Sequence, residues 1–508
     1  MNHGTMPLVE LLRRHWLIAI ALAGATAVRV LVVLAFRPVM WFGGDSASYL
    51  ATGLRLIPDP SRVGGYGFML WALRPLHSFV VVAAVQHAMG LAIGVLIYLL
   101  ARRYGAPLWG ATLAAVPVLF DAYELQLEND VLPDAAFAFL VMVALYLLLR
   151  SPGERRLADV AGAGFALGLS AILWPVGLVL LLVLLVALIV SVVLKRAGWL
   201  AVAAALGCGV VPVLGYAAWF DAHQHEFSLT RSDGVFLWSR TMSFADCATI
   251  KPPPDERSLC PSSGPRIAAS LYIWDGDSPL LRMPGGRFSA RTNSLAMNFA
   301  LRAIAAQPGG YAAAVAHDFS LSFSWNRPVH PDAGIVDRYQ FASAATAWVP
   351  ASMGTPGGGT VARDQARYTG SPAGTRAVQP FASWLVNYQK WVYLRGTLLG
   401  VILLGGLVVM IIRRRGLGSS SAGALPWAFA VTILLVPPLI ADFDLRYLVP
   451  AVPAACLAAV LAFGQRTCTT SPAATGTTAR PALTAPAGDT STTSLPSEST
   501  STASPDST

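Results

Sequence analysis

Apolar runs of about span length dominate the chain from residue 16 to 219 and return from 394 to 464. Short polar or basic breaks separate them. A helix that crosses a bilayer needs about 20 mostly apolar residues. Ten segments are read as spans: 16–36, 78–101, 107–121, 131–149, 158–173, 175–194, 197–219, 394–412, 425–441 and 446–464. The first reads as a retained anchor, too long for a signal peptide and without a small-residue cleavage site after it. Only Trp174 and Pro175 separate the fifth span from the sixth.

Basic residues give the spans a direction. Arg13 and Arg14 precede span one, and Arg102 and Arg103 follow span two. Arg150, Arg155 and Arg156 follow span four, and Lys195 and Arg196 follow span six. Arg413, Arg414 and Arg415 follow span eight, and Arg466 follows span ten. If ten spans simply alternate, all these clusters fall on one side, as the positive-inside rule requires of the cytoplasm. Both termini are then cytoplasmic, and the charge pattern favours two helices around Trp174-Pro175 over one long one. The chain reads as an all-α polytopic membrane protein with about ten transmembrane helices. Its parts are a transmembrane module with outer loops (1–219), a mixed extracytoplasmic domain between spans seven and eight (220–393), C-terminal transmembrane helices (394–465) and a Ser/Thr/Pro-rich cytoplasmic tail (466–508). Such a tail has too little apolar surface to fold.

Composition narrows the class. The 508 residues are 55% hydrophobic and 12% charged, where soluble domains carry about 25% charged residues. A water-soluble enzyme, a fibre and a disordered chain are excluded as main readings, and a β-barrel would show alternating segments instead of long apolar runs. The net charge of +9 does not point to nucleic acid, because Lys is scarce and the Arg residues sit in short breaks between spans instead of one stripe.

The acids at the outer face carry the candidate chemistry. Asp45 follows two glycines after span one and precedes a short amphipathic stretch. It reads either as a helix cap or as a general base at the mouth of a membrane cavity. Asp121, Glu124, Glu128, Asp130 and Asp134 fall within fourteen residues with no Lys or Arg among them. They are solvated loop acids, or they face a cation, a metal or a positively charged substrate group. Arg55, Arg62, Arg74 and Arg446 are the outer basic residues, and Arg29 in span one should face the bundle interior. Arg446-Tyr447 could pair with Asp442 or Asp444, or bind a lipid-borne phosphate. Cys247 and Cys260 are the only two cysteines of the outer segment; an oxidising compartment would join them.

Four motifs in order resemble the GT-C glycosyltransferases, especially the protein mannosyltransferase and lipid A aminoarabinose transferase type. They are Gly44-Asp45-Ser46-Ala47-Ser48-Tyr49-Leu50, Gly65-Tyr66-Gly67-Phe68, Leu132-Pro133-Asp134-Ala135-Ala136-Phe137 and Arg446-Tyr447-Leu448-Val449-Pro450. The chain departs from that pattern in having one acid where many relatives have two adjacent ones, and Trp174-Pro175 where relatives often carry Arg-Pro. The resemblance implies an enzyme that moves a sugar from a polyprenyl-phosphate donor to an envelope glycan, lipid or protein hydroxyl, with inversion, outside the cell membrane. It makes Asp45 the base and Arg62, Arg74, Arg446 and Tyr447 the phosphate side, with Glu128, Asp130 and Asp134 positioning sugar or acceptor. No resident cofactor is implied; the second-loop acids leave room for a divalent cation. The rival reading is a transporter or flippase of a lipid-linked sugar.

Overall fold

The computed structural model describes residues 13–150, 156–261, 268–344, 350–371, 374–417 and 422–464. The tail from 466 onward, with Arg466 and Arg155, lies outside the described residues. A helix stands at each of the ten expected positions. Six are long and apolar enough to cross a bilayer: Trp16–Ala35, Phe79–Arg103, Val176–Val193, Trp199–Gln224, Gly396–Arg413 and the segmented Leu445–Phe463. The chain is therefore a multi-pass membrane protein. The other four are shorter: Leu108–Phe120, Asp134–Leu149, Leu157–Leu173 and Ala424–Ile440. One helix ends at Leu173 and the next begins at Val176, so Trp174-Pro175 does break the run.

Small residues set the closest packing in the bundle. A Cβ added at Gly164 would stand 2.2 Å from the Ala205 carbonyl oxygen, and one at Gly168 would stand 2.0 Å from that of Gly209. Both pairs are four residues apart, so Leu157–Leu173 and Trp199–Gln224 meet backbone to backbone. In lipid, where the hydrophobic effect no longer drives helices together, such close van der Waals approach does.

Two expectations are corrected. The second outer loop is not a solvated loop. Leu108–Phe120 bends by 51° into a short helix, Ala122–Asn129, every residue of which is buried. The Asp121 carboxylate caps it by accepting the Tyr123 N–H at 2.8 Å. The outer segment is not mixed either: among its described residues the strands are two-residue pairs only. Helical spacing of apolar residues explains this, as in Ala290–Ala306, where Ala296, Phe299, Ala300 and Ala303 are buried at i, i+3, i+4 and i+7.

The outer segment has two parts. Val235, Trp238, Leu259 and Phe299 belong to a local core, and Cys247 and Cys260 form a disulfide beside it with Cα atoms 6.1 Å apart. The later part packs on the first loop. Phe36–Arg37 pairs antiparallel with Arg376–Ala377, and Arg55 forks onto Asp364 at 2.6 and 3.0 Å.

Candidate active site

The first loop folds into two short helices, Gly43–Arg55 and Gly65–Leu73. Gly43 opens the first with φ of +45°, and a Cβ there would meet Arg338 Nη1 at 2.7 Å; glycine meets both demands. Asp45 does not cap this helix. The cap position is Phe42, with no side-chain bond to the helix end, and the Phe42 N–H goes back to Ser46 Oγ at 2.8 Å. The Asp45 carboxylate is free to turn elsewhere.

It turns to two arginines. Arg62 Nη1 donates to Asp45 Oδ1, and Arg446 Nη1 donates to Asp45 Oδ2 at 2.6 Å. The rest of the Arg446 fork holds Asp134: Nε reaches Oδ1 at 3.3 Å and Nη2 reaches Oδ2 at 3.1 Å. Residues 401 positions apart thus meet in one chain of charges, Arg62–Asp45–Arg446–Asp134. Its members differ in access. The Asp45 side chain is 29% exposed and Arg62 16%, whereas Arg446 and Asp134 are 9% and 5% exposed. Asp45 is the more open of the two carboxylates. Burial works to raise its carboxyl, but Arg62 and Arg446 outweigh burial and hold it below the usual aspartate range.

Both arginines are held by their surroundings. Asp59 accepts from Ser48 Oγ and from the N–H and Oγ of Ser61, and Ser61 Oγ accepts Arg62 Nε at 3.2 Å. The Arg62 guanidinium lies 5.6 Å from the Trp274 ring centre. Arg446 lies 5.4 Å from that of Phe42 and 5.8 Å from that of Tyr447. Tyr447 stacks on Trp174 at 5.0 Å. The turn before Arg446 is clasped by the outer segment: Arg240 donates to the Ala441 carbonyl at 3.1 Å, and the Ser270 N–H donates to Asp442 at 3.0 Å. Asp444, expected as a partner of the Arg446 side chain, instead accepts its backbone N–H at 3.4 Å.

Other expected site residues stand apart. Glu128 is fully buried, and both its oxygens are taken: Oε1 by Arg29 Nη2 at 2.7 Å and Oε2 by His87 Nδ1 at 2.6 Å. It braces the bundle where substrate contact was expected, because its partners come from two neighbouring helices. Gly90 makes room for it, since a Cβ there would fall 1.6 Å from Glu128 Oε1. Arg74 ends the second short helix and lies near the Tyr368 side chain; no described ion pair joins it to the cluster. Asp130 is buried beside Asp134 and Arg446, its carbonyl accepting Gln86 Nε2 at 2.7 Å and its Oδ2 without a hydrogen-bond partner among the described residues. Trp174 and Asp59 escaped the sequence reading as site residues, although Trp174 stands where the related pattern carries Arg. Among the described residues, no group of three or more His, Cys, Asp or Glu is arranged to hold a metal ion.

Residues 74–228 match the family model described as dolichyl-phosphate-mannose-protein mannosyltransferase. That stretch holds Asp134 and Trp174 but neither Asp45 nor Arg446. No curated protein matches the chain. Among solved structures, one match is the S. cerevisiae protein O-mannosyltransferase Pmt1-Pmt2 complex bound to the sugar donor. It is 17% identical, with a TM-score of 0.31, 47% of this chain covered and 37% of that one. The Archaeoglobus fulgidus oligosaccharyltransferase AglB, in complex with an inhibitory peptide and a dolichol-phosphate, is 12% identical with a TM-score of 0.38, 89% of this chain and 50% of that one covered. ArnT from Cupriavidus metallidurans bound to undecaprenyl phosphate is 14% identical with a TM-score of 0.32, 88% of this chain and 77% of that one covered. The chain thus spans about a third to half the length of the first two. The family-model match, over residues 74–228 and so less than half of the chain, bears out the resemblance to GT-C glycosyltransferases read from the sequence.

Proposed function

We propose that the protein transfers a sugar from a polyprenyl-phosphate donor to a hydroxyl of an envelope glycan, lipid or protein. The reaction takes place on the extracytoplasmic face of a ten-span, N-in and C-in cell-membrane protein, with inversion at the anomeric carbon. The observation that carries the reading is a partly open carboxylate, Asp45, held between Arg62 and Arg446.

The acceptor oxygen attacks the anomeric carbon as the bond to the phosphate oxygen breaks. The electron pair leaves on the phosphate, and the acceptor proton passes to Asp45. Charge grows on the leaving phosphate, where preorganised guanidiniums help most. In the resting site the same guanidiniums face Asp45 and make it a weak base. An incoming phosphate draws them toward itself, and the Asp45 carboxyl then rises toward the range where it accepts a proton. Asp134 keeps a bidentate hold on Arg446 throughout, which fixes the fork that meets the phosphate. An apolar groove of about 310 Å³ between Phe68, Ile172, Val211, Pro212, Tyr216 and Trp219 suits the first isoprenoid units. Its Tyr216 hydroxyl accepts the Gly64 N–H at 2.7 Å, two residues from Arg62.

The test is purified protein in liposomes with a polyprenyl-phosphate mannose labelled in the sugar, mannose being the sugar favoured by the family model. A transferase releases bare polyprenyl phosphate as label moves to an acceptor fraction. Intact donor moved across the bilayer without cleavage would overturn the reading in favour of a flippase.

A further inference from the structure

A second cationic cluster lies outside the chain of charges just described. Its residues come from the loop after Pro308–Leu321, the start of Ala122–Asn129 and the link into Gly396–Leu417. The Arg327 guanidinium sits 4.9 Å from the Tyr123 ring centre and 5.2 Å from that of Tyr393. Its side chain is only 7% exposed, yet Nε and Nη2 have no hydrogen-bond partner among the described residues. The nearest carboxylate oxygen, Asp121 Oδ2, is 3.9 Å away and already accepts the Leu394 N–H at 2.7 Å. Asp121 Oδ1 accepts the Tyr123 N–H. Arg395 adds a second cation, 4.1 Å from the Tyr393 ring centre and 5.5 Å from that of Trp325, and donates to Asn326 Oδ1 at 3.0 Å.

Ring faces attract a cation but offer its N–H groups no lone pair of the kind a carboxylate or phosphate supplies. The Arg327 guanidinium therefore has one carboxylate near it, whose oxygens are both engaged by backbone, while Arg395 beside it is held by Asn326 and by the Tyr393 hydroxyl. A buried donor without an acceptor is costly, and the missing acceptor is an oxyanion. Its source is suggested by what surrounds the cluster. Arg395 directly precedes a helix long and apolar enough to cross the membrane, with Leu398, Val401 and Leu404 exposed along it. Trp325 and Trp391, which stand shortly before Arg327 and Arg395 in sequence, are 57% and 77% exposed, as tryptophans are at the headgroup level of a bilayer.

We propose that Arg327 and Arg395, framed by Tyr123, Tyr393 and Trp325, bind the headgroup phosphate of an anionic phospholipid. The Trp325 loop moves aside to admit it. The site shares no residue with the Asp45 cluster and does not depend on the transferase reading.

The experiment uses the full chain in neutral detergent, with binding followed by native mass spectrometry. The probes are short-chain phosphatidylglycerol, phosphatidylcholine of equal chain length, and inorganic phosphate. Wild type should hold phosphatidylglycerol at least tenfold more tightly than either alternative. Arg327→Gln and Arg395→Gln should each weaken it about tenfold, and Arg395→Lys by less, since charge stays but the planar fork is lost. Equal binding of phosphatidylcholine would overturn the proposal, because the net charge would then go unread. Inorganic phosphate binding as tightly as phosphatidylglycerol would overturn the lipid assignment. Folded variants with unchanged phosphatidylglycerol binding would overturn the site itself. If the variants do not fold, the wild-type ranking of the three probes still decides.

Discussion

Two clusters in this protein are built from the same parts. Arg62–Asp45–Arg446–Asp134 and Arg29–Glu128–His87 each join a carboxylate to arginine and to a further polar partner drawn from distant stretches of chain. They differ in access. Glu128 is 0% exposed and both its oxygens are engaged, while Asp45 is 29% exposed. A sealed set of buried charges can only hold its helices in register, because removing any partner strands another charge without water. A set with one open member can exchange a partner for a ligand. The difference between the buried brace and the proposed reactive site is one of access, with the residue types almost unchanged.

The largest expected effect separates the two roles. Asp45→Asn should still fold and insert, at some cost in thermal stability from the two lost arginine pairs, while sugar transfer falls about 10²–10⁴-fold, the usual loss when a positioned base is removed. Asp134→Asn should cost less, because it trims a carboxylate that steadies Arg446. Normal transfer by folded Asp45→Asn would remove the distinction. Glu128→Ala should do the opposite and cost about 3–5 kcal/mol of stability, the usual penalty for an orphaned buried charge. Thermal unfolding in detergent measures it, and an unchanged midpoint would mean that Arg29 does not depend on Glu128. Gly90→Ala should destabilise as well, since its methyl group meets the same carboxylate.

Arg446→Lys keeps the charge but cannot span Asp45 and Asp134 with a planar fork. Transfer should fall roughly 10–100-fold, equivalent to about 1.4–2.7 kcal/mol, with little change in folding. A loss no larger than twofold would show that charge alone suffices.

The smallest effect is a pH dependence beside the site. Burial, ahead of any neighbour, raises the Asp444 carboxyl to about 6. Its folded-state value lies above the unfolded value of about 3.9, so the native protein binds this proton more tightly. That contribution to stability is present at low pH and is lost as pH rises through about 6. Asp444→Asn keeps an oxygen for the Arg446 N–H and removes the charge. It should stabilise the protein at pH 8 by on the order of 1 kcal/mol, with the difference shrinking toward pH 4. A variant less stable than wild type at pH 8 would contradict this.

Much of the bundle was legible because lipid imposes a length on apolar runs. The helix positions, and the break at Trp174-Pro175, follow from that alone. Asp45, Asp134, Arg62 and Arg446 were legible as charges at the ends of such runs. Glu128 and Arg74 looked the same in sequence, and their environments separate them. Glu128 is answered by a residue 99 positions earlier, and nothing in its own loop announces that. A signal did exist: Arg29 in an apolar run needs an internal partner, and His87 and Gly90 lie three apart on a neighbouring helix with a gap a carboxylate can fill. The helical outer segment was missed because its short amphipathic pieces are interrupted by Pro and Gly. The Arg327 cluster is invisible in sequence because Asp121 with Tyr123, Trp325 with Arg327, and Tyr393 with Arg395 come from three separate segments.

The central claim is that Asp45 and the donor phosphate compete for the same two arginines. The dissociation constant of bare polyprenyl phosphate for wild type and for Asp45→Asn, measured in the same detergent, tests it most directly. With the carboxylate charge gone, Arg62 and Arg446 are free for phosphate and a like charge has left the site. The account predicts that Asp45→Asn binds the lipid phosphate at least as tightly as wild type, and up to about tenfold more tightly, while turnover is lost. Binding weakened tenfold or more in a folded Asp45→Asn protein would contradict it, because Asp45 would then be holding the arginines for the phosphate and not competing with it.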